Sequence, residues 1–143
     1  MNKMKFSIIT GVLFLVLLFP LLNAEVGLGL SPARIVSQIE AGQMQELELI
    51  VFNTGDAPLE ITLQPEGELA VITTVIPKTL VVDPEPQPHQ LPIKNGKRFT
   101  VKFTAPLDAI GKTFKGTIAA VGSPNAGSQF GGNVGVATQV EMT

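Results

Sequence analysis

Few side chains in this sequence can do chemistry, and their spacing narrows the choice further. The only imidazole is His89, in Gln87-Pro88-His89-Gln90. A zinc site draws on a set of His, Cys and carboxylate ligands, and neither a second His nor any Cys accompanies it. The prolines around His89 predict an exposed loop instead. Ser31, Ser37, Ser123 and Ser128 sit in neither a GxSxG elbow nor an SxxK spacing, so hydrolysis by a known triad has no support. Two carboxylate pairs remain, Glu66 with Glu68 and Asp83 with Glu85. Residues two apart on a strand share a face, where they could act as acid and base or hold calcium. Both pairs lie beside Pro or Gly without the dense Asp/Asn/Gly spacing of a calcium loop, so solvated loops are expected. No catalytic, metal or cofactor residue is therefore assigned, and a carboxylate-dependent glycan hydrolase is the remotest of three readings.

Two segments suggest binding. Gly122 to Gly132 reads GSPNAGSQFGG, four glycines in 11 residues. It lacks the Lys-Ser/Thr ending of a phosphate loop and leads into the alternating Val134 and Val136, so it predicts an adaptable hairpin loop with Phe130 as an exposed contact. In Val26-Gly27-Leu28-Gly29-Leu30, apolar residues alternate with glycines. Such a strand is expected to be the domain's own first strand. It also suits donation to an open sheet edge, with Val26, Leu28 and Leu30 filling pockets, and such head-to-tail contacts propagate as a filament.

The elements that hold these segments follow from composition and periodicity. The chain has 143 residues, room for one domain. Absence of Cys excludes a disulfide staple and a thiol nucleophile. Ten basic residues against 12 acidic ones, with no Lys/Arg run, exclude nucleic acid as a partner. Residues 1–24 stand apart: Lys3 and Lys5 precede an almost continuously apolar stretch from Phe6 to Leu22, and Pro20 and Ala24 suit cleavage after Ala24. This is a secretory signal peptide, with an uncleaved anchor as the competing reading. The membrane is otherwise no partner, and residues 25–143 are expected outside the cytoplasm as a secreted or cell-surface domain.

That domain reads as strands. Phe99, Val101 and Phe103 alternate with Arg98, Thr100, Lys102 and Thr104, the pattern of a strand with one buried face. The predicted strands are Val26–Leu30 and Arg34–Ile39 (one bent strand), Met44–Asn53, Leu59–Gln64, Val71–Ile76, Leu80–Asp83, Arg98–Thr104, Phe114–Val121 and Asn133–Met142. Asn53-Thr54-Gly55-Asp56 supplies a turn, Asn95-Gly96 a hairpin signal, and the run from Asp83 to Pro88 a stiff surface connection. With no helical pattern between them, the strands predict an all-β sandwich.

The succession LSPARIV, VFNTGDAPLEITL, VIPKTLVVDP, NGKRFTVKFTAP and GKTFKGTIAAV resembles the immunoglobulin-like modules of bacterial and archaeal envelope proteins. It is similar, more loosely, to the first domain of periplasmic pilus chaperones and to major-sperm-protein domains. The resemblance implies an immunoglobulin-like sandwich from Leu28 to Val140, with Phe114 and Gly116 at a packed corner near the penultimate strand. A pilus chaperone anchors its client's carboxylate with a basic pair, for which Arg34 and Lys112 are distant candidates. The leading expectation is a non-catalytic envelope interaction or scaffold module that meets another protein through sheet edges and the Gly-rich loop. A polymerising fibre subunit is the alternative.

Overall fold

Residues 27–87, 90–124 and 134–143 are described in a computed structural model of the protein. The proposed leader, Val26, His89, Phe130 and most of the Gly-rich loop lie outside them. The chain runs β1 (Leu28–Ser31), β2 (Arg34–Ser37), β3 (Met44–Asn53), β4 (Leu59–Gly67), a 3-10 turn (Glu68–Val71), β5 (Thr73–Ile76), β6 (Thr79–Val82), β7 (Lys97–Thr104), β8 (Phe114–Pro124) and β9 (Val134–Met142). One sheet has the order β1-β3-β7-β5 and the other β2-β9-β8-β4-β6. Each pair is antiparallel except β2 with β9. The protein is an all-β, immunoglobulin-like sandwich.

Period-two alternation builds the core between the sheets. Phe99, Val101 and Phe103 of β7 and Leu49 and Val51 of β3 are fully buried in one sheet, and Ile61 of β4 with Ile118 and Ala120 of β8 in the other. The outward phase of β3 and β7 carries charge instead: Glu46 pairs with Lys102 at 2.6 Å and Glu48 with Arg98 at 3.4 Å. Such exposed pairs contribute little to stability, and their value lies in keeping that face soluble.

The structure departs from the sequence reading in several places. The first two predicted strands are not one bent strand. β1 joins one sheet and β2 the other, the crossing made at Pro32 and fastened where Thr138 Oγ1 donates to the Pro32 carbonyl at 2.7 Å. A second crossing at Pro77 takes the chain from β5 to β6. Val71 ends the 3-10 turn and lies outside β5, because Leu69 is the residue buried beneath the corner. Asn95-Gly96 makes no hairpin, since the strand before it, β6, belongs to the opposite sheet. Instead the Asn95 side chain donates to the Pro84 carbonyl at 2.6 Å, and Gly96 fits close against Ile50 and Ile93.

The Asn53 turn forms where expected, by side-chain bonding. Asn53 is fully buried; its Nδ2 donates to the carbonyls of Ala57 (2.7 Å) and Val82 (3.2 Å), and its Oδ1 accepts from the Gly55 N–H at 2.9 Å. One side chain thus ties β3, the turn and β6 together. Its own carbonyl accepts from the Glu85 N–H at 2.8 Å, which anchors the Pro-rich connection to the end of the sandwich.

Candidate functional site

Among the described residues, those able to do chemistry do not converge. Glu66 accepts from Thr117 Oγ1 at 3.3 Å, on the strand β4, while Glu68 accepts from the Lys115 N–H at 3.0 Å, at the start of the 3-10 turn. Asp83 is exposed, whereas Glu85 is buried at 6% exposure, against the expectation of a solvated loop. Its carboxylate accepts from the backbone N–H of Lys94 at 3.0 Å and from that of Asn95. Glu85 is thus a loop clamp: its two oxygens accept from two backbone N–H groups of the connection that precedes β7, donors that burial would otherwise leave unpaired. Glu85→Gln aims an NH2 group at one of those donors and should lower the unfolding free energy by about 1–2 kcal/mol in urea titration. Among the described residues no three His, Cys, Asp or Glu side chains gather as a metal site requires.

The two basic candidates are held apart as well. Arg34 of β2 pairs with Glu141 at 3.8 Å, and Lys115 reaches the same carboxylate at 3.3 Å. Lys112 pairs with Asp108 at 2.9 Å in the β7–β8 loop, and its hydrogen bond holds the Asp108 carboxyl below the usual carboxylate range.

What the fold offers a partner is strand edge. Each crossing covers only part of an edge, leaving the rest of the neighbouring strand open, and open edges invite pairing. On one side of the sandwich β1 pairs with Ile50 to Asn53 of β3, and β2 with Gln139 to Met142 of β9. The uncovered part of β3 carries Glu46 and Glu48, charges of the kind that discourage pairing. The uncovered part of β9 carries no such guard. The Gln139 N–H donates to the Ala33 carbonyl, so odd-numbered residues of β9 turn their backbone groups away from β8. Gly135 and Ala137 therefore present N–H and C=O at an edge to which no other strand among the described residues is hydrogen-bonded. Both are exposed and small, and their side chains leave the approach clear.

The sequence-based contacts fall beside this edge. Leu30 lies in the core at 9% exposure and Leu28 packs partly against it, both on β1 paired in cis with β3. Gly29 faces Phe52 across the ladder, and a Cβ there would overlap the Phe52 ring, which explains the small residue. Val26 and Phe130 fall outside the described residues. The β9 edge was not singled out in the sequence. Its only signal is a strand with Gly135 and Ala137 in the outward phase and neither charge nor Pro among Val134 to Thr138.

No protein-family model and no curated protein sequence matches the chain. Its fold does have counterparts among solved structures. The ASH/PapD-like domain 7 of human CEP192 superposes with a TM-score of 0.59 at 10% identity, covering 81% of this chain and 83% of that one. The E. coli chaperone DraB gives 0.58 at 16% identity, over 82% and 54%. WR4, a C. elegans MSP family member, gives 0.55 at 9% identity, over 81% and 97%. The chain spans about half the length of the chaperone it matches. These likenesses show the fold, an immunoglobulin-like β-sandwich of the kind found in PapD-like and MSP domains.

Proposed function

We propose that the chain is a non-catalytic protein-binding module of the cell envelope, formed by residues 25–143 after residues 1–24 have directed it out of the cytoplasm. A partner's extended segment pairs along the open part of β9. The observation that carries this reading is the edge at Gly135 and Ala137, where backbone donors and acceptors stand at peptide spacing and no described strand is hydrogen-bonded to them. Strand addition takes its affinity from such groups.

The test is photo-crosslinking in cells of the full chain with a photoreactive residue at Ala137 and, in a control, at Glu60. A discrete adduct from position 137 and none from position 60 is expected. Absence of any adduct at position 137 overturns the reading. With the label at Gly135, Ala137→Pro should reduce the adduct about tenfold, because it removes an edge N–H while sparing the β8 ladder, and edge strands tolerate Pro.

A second reading, the fibre subunit, is favoured by the shortness of β1: four residues at a sheet edge, paired with β3 alone. Its release and donation to another copy would give adducts at multiples of the chain's own mass. Leu28→Asp and Leu30→Asp test that outcome only alongside circular dichroism, since Leu30 also belongs to this domain's core.

A further inference from the structure

On the opposite side of the sandwich, the crossing at Pro77 leaves a slot between the two sheets. It is a cavity of about 420 Å³ walled by Thr62 to Pro65 of β4 and Thr73 to Val75 of β5, with Lys78 at its margin. The two walls differ in what they offer. The Leu63 N–H donates to the Lys78 carbonyl, so the odd residues of β4 face away from β8 and toward the slot. The next of these is Pro65, which has no N–H, and this wall is blunted as a pairing edge.

The β5 wall is complete. The Thr104 N–H donates to the Ile72 carbonyl, which sets the alternation along β5: Thr74 and Ile76 bond β7, while Thr73 and Val75 turn N–H and C=O to the slot. Thr73 adds a buried hydroxyl, whose Oγ1 has no hydrogen-bond partner. A buried hydroxyl without a partner is costly, and its neighbours here are two backbone donors and two backbone acceptors at strand spacing. Peptide backbone matches that set, a compact small molecule does not. Lys78 is exposed and makes no ion pair among the described residues.

We infer that this slot receives an extended polypeptide segment from another protein, added to β5 as the fifth strand of the four-stranded sheet. The segment places a hydroxyl or amide side chain inward against Thr73 Oγ1 and an acidic residue beside Lys78. This site lies across the sandwich from the β9 edge and does not rest on it.

The probe is a synthetic seven-residue peptide of alternating Val and Thr ending in Asp, with a second peptide ending in Lys. Each is titrated into the 15N-labelled full chain while amide exchange is read by NMR. The Asp peptide should slow exchange at Thr73 and Val75 by about tenfold as their N–H groups become bonded. Thr73→Val, which keeps the shape of the side chain, should weaken binding about fivefold, as loss of one hydrogen bond does. Lys78→Glu should reverse the preference between the two peptides. Protection confined to Gly135 and Ala137 would assign peptide binding to the β9 edge and overturn the slot. Absence of protection at either edge overturns it too. Protection of Thr73 that rises with chain concentration, without peptide, would identify the occupant as a second copy and sink the proposal as stated.

Discussion

Gly116→Val is expected to cost about 4 kcal/mol or more, enough to unfold a marginal domain, because both ways of accommodating the new side chain are closed. Gly116 of β8 pairs with Gly67 of β4, and a Cβ on Gly116 would overlap the backbone carbonyl oxygen of Glu66. A side chain in the way can change rotamer, but a ladder carbonyl cannot move without parting the strands. The next nearest obstacle is Leu69, fully buried beneath the corner, so the corner cannot open outward either. Gly67 itself sits at φ 75, a conformation that L side chains rarely adopt. Gly111→Ala makes the control. Its φ is 69, yet a Cβ there meets nothing within 4 Å, so only backbone strain of about 1 kcal/mol should appear in thermal unfolding.

Asn53→Leu should lower the unfolding free energy by about 3 kcal/mol, read as a drop in Tm of about 10 °C. Leu is close to Asn in length but brings no polar atom. The carbonyls of Ala57 and Val82 lose their shared donor, and the Gly55 N–H loses its acceptor, all at a buried position. Asn53→Asp discriminates between loss of packing and loss of hydrogen bonding. It keeps the acceptor for Gly55 and the volume, but replaces the donor to two carbonyls with an oxygen that repels them. If bonding controls the turn, the Asp variant at pH 7 should be at least as unstable as the Leu variant. If volume controls it, the Asp variant should approach the wild type.

Much of the fold was legible in the sequence because it is written in period two. β3 runs over Met44–Asn53 as expected, and β7 begins one residue before the predicted Arg98. Alternation reports which face is buried, a local property. It does not report which sheet a strand joins, so β1 and β2 read as one strand when a two-residue link sends them to different sheets. The 3-10 turn was missed for a related reason: Leu69, Ala70 and Val71 are apolar, and only the tertiary position of Leu69 makes that segment a corner plug. Asn95-Gly96 has the composition of a hairpin, but its partner is the Pro84 carbonyl 11 residues back. Glu85 was read as solvated because charges mostly are; its burial depends on two backbone N–H groups that only the folded connection brings to it. The candidate edges were the least legible part. Whether Gly135 has a free backbone depends on where β2 begins, and whether Thr73 has one depends on β6 joining β4 instead of β5; both are decided by the crossings at Pro32 and Pro77.

The parallel pairing of β2 with β9 has a mechanical meaning. These are strands from the two ends of the domain, in register from Arg34–Gln139 to Ser37–Met142, and the ladder is extended by the Thr143 N–H to the Ser37 carbonyl and the Ile39 N–H to the Thr143 carbonyl. Tension entering ahead of β2 and leaving after β9 pulls the two strands past each other along their length. All the bonds of the ladder then bear load at once, as in a lap joint, instead of opening one after another as in a peeled hairpin. A module tethered at one end and loaded at the other therefore resists extension at the place where its two ends meet.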